Sequence, residues 1–280
     1  MNTIWKAGVM FVKRDFKDKI VVITGAAGGL GMAFAGRFGR AGARLAMLDI
    51  KQDAVEGAAE QLRGKGVETL ALGCDVSDPL SVVNALERIM NHYGGIDVLI
   101  NNAGISARAA FDQTHLAVFH KVMNINFFGP LYGTRAALGS IRRRKGLIIV
   151  ISSLAGFSPL LGRTAYSASK HALHGLFDSL RSELRGCGVG VLIVCPGFTA
   201  TGFGKSSLDG DGSITRHPRS TVGKLDTPEH VAGQVFEAAR RNRRLLVLTP
   251  VGKLGRVINK LSPALYEWIM VRSTRSELER

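Results

Sequence analysis

The amino-acid sequence predicts an α/β protein in which helices flank a seven-stranded, mostly parallel sheet in a doubly wound arrangement. Two observations point there. The period of the apolar residues switches repeatedly between strand-like and helix-like along the chain. The strand segments are also apolar on both faces, which suits a sheet covered by helices on each side.

Ile20-Val21-Val22-Ile23 reads as the first buried strand, and Met32, Phe34, Phe38 and Ala41 follow at helical spacing until Gly42. Arg44 to Leu48 is the second strand. Helices are then expected at about 53–63, 79–92, 112–143, 164–185 and 228–241, with strands near 67–72, 97–100, 146–152, 189–195 and 245–249. Seven strands joined by six crossovers need one core, so residues 19–251 form a single domain. A basic and apolar segment, 1–18, precedes it. A helical extension, 252–280, follows at the carboxyl edge. Its apolar stripe of Leu261, Leu265, Trp268 and Ile269 could cover the substrate pocket, pack on a partner subunit or touch a membrane, with ordinary packing the first expectation. Residues 198–227, rich in Gly, Ser, Thr and charge, interrupt the rhythm. A long irregular segment inside a compact domain is usually functional or disordered, and this one is expected to be a substrate loop.

Composition narrows the classes. With 46% hydrophobic residues, 280 residues are enough to bury a large core without disulfides or metals. Cys74, Cys187 and Cys195 form no CxxC pair, so reduced thiols in a reducing compartment are expected and a metal site is not. No apolar run approaches the roughly 20 residues of a membrane-spanning helix. The early run 7–12 is too short for a signal peptide, and a cytoplasmic location is expected.

The net charge of +15 favours anionic partners. Its clusters, Arg142 to Lys145, Arg240 to Arg244, and Lys13, Arg14, Lys17 and Lys19, each precede a strand. In a parallel sheet they therefore share the amino edge. A solvated face accounts for them as well as a peripheral contact with anionic membrane does. In the latter case Ile4, Trp5, Val9, Met10, Phe11 and Val12 would enter the interface. Nucleic acid is not expected, since no recognised module or aromatic platform accompanies the charge.

The first strand runs into Thr24-Gly25-Ala26-Ala27-Gly28-Gly29-Leu30-Gly31 and then a helix. Such a turn lets backbone approach a pyrophosphate lying on the helix N-terminus, the Rossmann-type arrangement, with Thr24, Gly25, Gly29, Leu30 and Gly31 as contacts. Asp49 ends the second strand, where a carboxylate accepts both ribose hydroxyls of NAD and repels the 2′-phosphate of NADP. Gly28 and Ile50 stand where basic residues would favour NADP, with Lys51 the one ambiguity, so NAD is expected rather than NADP. Asp75-Val76 and Asn101-Asn102-Ala103-Gly104 follow the third and fourth strands at the ligand-binding edge. Tyr166 and Lys170 are four apart on an expected helix and so share a face. A free tyrosine has a pKa of about 10, and a neighbouring ammonium favours its phenolate. Ser153, at the end of the fifth strand, can donate a hydrogen bond to a substrate oxygen.

Together, Thr24-Gly25-x-x-x-Gly29-x-Gly31, Asn101 to Gly104, Ser153, Tyr166-x-x-x-Lys170 and Pro196-Gly197 resemble the short-chain dehydrogenase/reductase signature over about residues 19–250. The three-residue spacer and final glycine match the family's compact branch rather than its extended, sugar-nucleotide branch. The resemblance implies an oxidoreductase with a Ser–Tyr–Lys mechanism, in which Tyr166 exchanges the substrate proton. Lys170 would lower the tyrosine pKa and hold the ribose, and Ser153 would orient the substrate oxygen. Asn126 would help anchor a water leading to Lys170. By the same resemblance Asp75 and Val76 flank the adenine, while Asn102, Ala103, Gly104, Pro196, Gly197, Thr199 and Thr201 complete the cofactor site. Thr199 replaces the branched aliphatic residue usual there. Leu160, Leu161, Phe198 and Phe203 hint at a lipophilic alcohol or ketone, and the family implies a homodimer or homotetramer on the helices at 112–143 and 164–185. The alternative is a non-catalytic cofactor-binding or membrane-surface protein retaining the fold. His171 and His174 are expected to have packing or surface roles rather than catalytic ones.

Overall fold

A computed structural model describes residues 13–204, 206–215 and 225–277. The apolar N-terminal patch, residue 205 and residues 216–224 of the expected substrate loop lie outside them. Seven strands form one sheet: β1 (Ile20–Thr24), β2 (Arg44–Asp49), β3 (Thr69–Gly73), β4 (Val98–Asn101), β5 (Leu147–Ile151), β6 (Gly190–Cys195) and β7 (Leu245–Val247). Their order is β3-β2-β1-β4-β5-β6-β7, and all six pairings are parallel rather than mostly so.

Helices α1 (Gly29–Gly39), α2 (Gln52–Arg63) and α7 (Pro228–Arg240) cover one face, where Phe16, Phe38 and Phe236 meet with ring centroids 4.9–5.3 Å apart. Burying one such side chain contributes about 1.5–3 kcal/mol. The other face carries α3 (Pro79–Tyr93), α5 (Gly129–Arg143) and α6 (Thr164–Glu183), packed through Leu86, Ile89, Ile141, Leu173 and Phe177. Helix starts are written in the sequence. Asp78 accepts hydrogen bonds from the Leu80 and Ser81 N–H groups ahead of Pro79, and Thr227-Pro228, Thr249-Pro250 and Ser262-Pro263 repeat the device.

The segment expected as one helix over 112–143 is four pieces. A short 3-10 turn (Phe111–Gln113) precedes α4 (Leu116–Met123), and a π-turn (Asn124–Phe128) separates α4 from α5. A π-turn inserts an extra residue into the helical ladder and re-aims what lies in it. Here it turns Asn126 into the protein interior. The C-terminal extension begins at Pro250 and is two helices, α8 (Pro250–Leu261) and α9 (Pro263–Thr274), broken where Pro263 starts the second. Their apolar residues do not pack as expected. Tyr266 is buried, but Leu261 is 81% exposed and Trp268 60%.

The amino-edge clusters do converge, though part of the charge is spent internally. Arg14 donates to the Lys145 carbonyl (2.9 Å), the Gly188 carbonyl (3.2 Å) and Asn242 Oδ1 (3.2 Å). Arg144 pairs with buried Asp97 at 3.2 Å, and Arg240 with Glu237 at 3.0 Å. No described helix is long and apolar enough to cross a membrane.

Candidate active site

Strand order reverses between β1 and β4, which opens a crevice at the carboxyl edge of the sheet. Thr24 ties the two strand ends together: its Oγ1 accepts the Asn102 and Ala103 N–H groups, both at 3.0 Å. Asn102 Nδ2 returns the contact by donating to the Thr24 carbonyl (2.9 Å) and the Gly25 carbonyl (3.0 Å).

The glycine turn sits on this platform. Gly25 has φ +63°, and a Cβ at Gly31 would lie 2.2 Å from the Gly25 carbonyl oxygen, so backbone packs on backbone there. Helix α1 follows Gly28 with no side-chain cap and no acidic residue in its first turn. Its uncapped N–H groups suit an anionic group such as a pyrophosphate. Leu30 packs against the core beneath it, and Thr201 lies over the turn, with its Cβ 2.7 Å from where a Gly29 Cβ would be. Asp49, half-buried at the end of β2, accepts the Ala27 N–H through Oδ2 and the Lys51 N–H through Oδ1, both at 3.2 Å. The Asp75 carboxylate is partly engaged by Ser77, whose N–H and Oγ lie at 2.8 and 2.7 Å. Val76 packs against Gly129. Thr199 is buried and its segment pairs with Asp226, while Gly197 packs against Thr249.

Tyr166 and Lys170 lie in the first two turns of α6 and are both buried. Lys170 Nζ is 5.7 Å from the centre of the Tyr166 ring and donates to the Ile151 carbonyl at 2.9 Å. Burial lowers the Lys170 ammonium to about 8, because the charged form loses its water. Ser153 follows β5 and caps the short turn Leu154–Gly156, with Oγ accepting the Ala155 N–H at 3.2 Å. The Phe203 ring stands 6.2 Å from that of Tyr166, one aromatic wall of the site.

Asn126 is fully buried against this group, yet its side chain serves as a tie. Oδ1 accepts the Ile105 N–H at 2.8 Å, while Nδ2 donates to the Ile105 carbonyl (2.9 Å) and Ser169 Oγ (3.0 Å). Both amide hydrogens are committed, so the side chain joins the π-turn to the segment after β4 and to α6.

Two partners of the site escaped sequence reasoning. Ser152, next to Ser153, meets His174 Nε2 at 3.1 Å, and Cys195 Sγ lies 3.6 Å from the same nitrogen. His174 thus has a packing role with a defined partner. Burial lowers its imidazole to about 4 and raises the Cys195 thiol to about 12. The second is the C-terminal extension, which grips the loop between Ser153 and Tyr166. Asn259 Nδ2 donates to the Phe157 carbonyl at 2.7 Å, and the Tyr266 hydroxyl lies 2.6 Å from Ser158 Oγ. Neither spacing carries a sequence signal.

The short chain dehydrogenase family model matches residues 19–211. Dehydrogenase/reductase SDR family member 7B of Bos taurus is 36% identical over 269 residues, covering 93% of this chain and 83% of the relative. A short chain dehydrogenase/reductase from Burkholderia phymatum, solved in complex with NAD, superposes with a TM-score of 0.81 at 25% identity, covering 90% of this chain and 96% of that one. An alcohol dehydrogenase from the archaeon Thermococcus sibiricus, complexed with 5-hydroxy-NADP, superposes with a TM-score of 0.71 at 26% identity, covering 82% and 94%.

Proposed function

This chain belongs to the short-chain dehydrogenase/reductase family and is an oxidoreductase, and from that premise we propose that it interconverts a lipophilic secondary alcohol and its ketone, or an aldehyde, with NAD as hydride carrier. The observation that carries the reading is the placement of Lys170. A buried ammonium costs stability, and here it lies 5.7 Å from the Tyr166 ring, where it favours the phenolate.

The residues fit a dinucleotide: the uncapped start of α1 and the tight backbone at Gly25 and Gly31 suit a pyrophosphate. Asp49 would accept from the adenosine ribose and disfavour a 2′-phosphate, which supports NAD over NADP. The nicotinamide supplies the hydride chemistry. Tyr166 exchanges the proton of the substrate oxygen at its Oη, and Ser153 Oγ donates a hydrogen bond that holds that oxygen. Lys170 keeps the phenolate accessible and reaches the ribose. Asn126 holds the π-turn, and with it the wall beside Lys170, in place. Leu160, Leu161, Phe198 and Phe203 supply the apolar surface that favours a lipophilic substrate. The free thiols of Cys74, Cys187 and Cys195 support a cytoplasmic setting. Assembly as a homodimer or homotetramer would use α4–α5 and α6.

Titration of the purified chain with NADH and with NADPH, followed by turnover of lipophilic secondary alcohols and ketones, tests the reading. NADH should bind the tighter, and Tyr166→Phe should lower kcat by about 10²–10⁴-fold. Preference for NADPH overturns the role given to Asp49, and failure to bind either cofactor overturns the whole.

A further inference from the structure

We propose that the α8–α9 pair is a docking surface for an anionic lipid bilayer, lying in the interface plane at the carboxyl edge of the sheet. Each helix is docked by one side only. In α8, Gly252 packs against Leu154, Gly255 against Tyr266, and Asn259 bonds the Phe157 carbonyl. The side turned away carries Val251, Leu254 and Leu261, 62%, 62% and 81% exposed. In α9, Tyr266 and Thr274 are buried, while Leu265, Trp268 and Val271 are 49%, 60% and 42% exposed. Half of the exposed large hydrophobic side chains of the described residues fall within these two helices. Exposed apolar surface concentrated in this way marks an interaction site.

Charge selects the occupant. Lys253 and Lys260 are exposed on a third stripe of α8, between its docked and apolar sides, and Arg272 stands one turn after Trp268, 5.7 Å from that ring. An apolar face flanked by basic residues, with a tryptophan beside an arginine, is the arrangement of helices that lie in a bilayer interface. A second copy of this chain on this face is disfavoured, because a two-fold contact would oppose the identical basic flanks Lys253, Lys260 and Arg272. This contact is separate from the one weighed at the amino edge, whose apolar residues Ile4 to Val12 lie outside the described residues. Docking does not depend on the dehydrogenase reading. Its consequence does: the loop bonded to Asn259 and Tyr266 would then open towards the bilayer, and a lipophilic substrate would enter from the membrane.

The test is sedimentation of the full chain with phosphatidylcholine vesicles, alone or with phosphatidylglycerol added, at physiological salt. Binding should be at least about tenfold stronger with the anionic lipid, as a few basic residues near the surface require. The triple variant Leu254→Glu, Leu261→Glu, Trp268→Glu should remain in the supernatant while binding dinucleotide as before. A chain carrying Trp5→Phe has Trp268 as its one tryptophan, and anionic vesicles should shift its emission to the blue whether or not the triple variant folds. Vesicle binding unchanged in the triple variant, an unshifted Trp268 emission, or a dimer that dissociates in the triple variant without any vesicle binding would each overturn the proposal. Dinucleotide titration reads the dehydrogenase assignment separately, so the two can fail independently.

Discussion

The hydroxyl of Tyr266, in the first turn of α9, lies 2.6 Å from Ser158 Oγ, in the loop that leads from Ser153 to Tyr166. Both groups are buried, Ser158 to 1% exposure. The C-terminal extension is thereby joined to the site by a bond spanning 108 residues.

Tyr266→Phe should therefore act on the site from a distance. It leaves a buried serine hydroxyl unpaired, at a cost of about 1–3 kcal/mol, which for a chain of this size lowers Tm by about 2–4 °C per kcal/mol. Substrate KM should rise while NADH affinity stays, because Ser158 lies in the loop between Ser153, which would hold the substrate oxygen, and Tyr166. Calorimetry with steady-state kinetics checks both. Equal losses in cofactor and substrate binding would mean general destabilisation instead.

Lys170→Met should make the protein more stable and inactive. Burial lowers the folded-state value to about 8 from 10.5. Between those values the unfolded chain binds the extra proton, so wild-type stability rises with pH across that window. Below pH 8 the full cost of the buried charge is present. At pH 7 the variant should gain on the order of 2 kcal/mol, and the gain should shrink towards pH 10. Denaturant melts at pH 7 and pH 10 read it. A variant less stable at pH 7 would show that the bond to the Ile151 carbonyl outweighs desolvation.

His174 sets an acid limit. Its folded value, lowered to about 4 by burial, lies below the 6.5 of the unfolded chain. The neutral imidazole facing Ser152 is the stable form, and its contribution is fully present above pH 6.5 and lost as pH falls towards 4. The ring is partly exposed, so the loss at pH 5 should be on the order of 1 kcal/mol after solvent screening. His174→Gln should flatten the profile between pH 7 and pH 5, while parallel profiles would remove His174 as the cause.

Asp49→Ser should exchange cofactor preference. Removing a charged acceptor from the ribose loses about 1.5–3 kcal/mol, or roughly 10–100-fold in NADH affinity. NADPH should bind better once the repulsion is gone. Fluorescence titration of both nucleotides settles it, with unchanged preference placing the selectivity elsewhere, such as at Lys51.

The parts of this protein that could be read early are those encoded locally. Ile20 to Ile23 and its six counterparts are apolar on both faces, and only strands buried from both sides tolerate that. Tyr166 and Lys170 share a face because the helical period puts residues four apart together, whatever packs around them. Parallel strands also put every pre-strand segment on one edge, and Arg14, Lys145 and Asn242 do meet there.

The limits lay where partners are distant or the ladder is irregular. An apolar period can reveal the π-turn at Asn124–Phe128 no better than an ordinary helix, because the inserted residue is stabilised by Ile105 and Ser169, not by its neighbours in sequence. The charge on Arg14 was legible, but not that it would be spent on two carbonyls and Asn242.

By itself, then, the sequence determined the doubly wound sheet, the glycine turn on its first helix, and the Tyr166–Lys170 face, since each follows from short-range periodicity. Tertiary structure alone decided that Asn126 is a tie, that Ser152 is joined to His174, and that Leu261 and Trp268 face outward although Tyr266 is buried. The reason is physical. Periodicity tells which side of a helix is apolar, but whether that side is covered depends on which surfaces the folded chain brings opposite it.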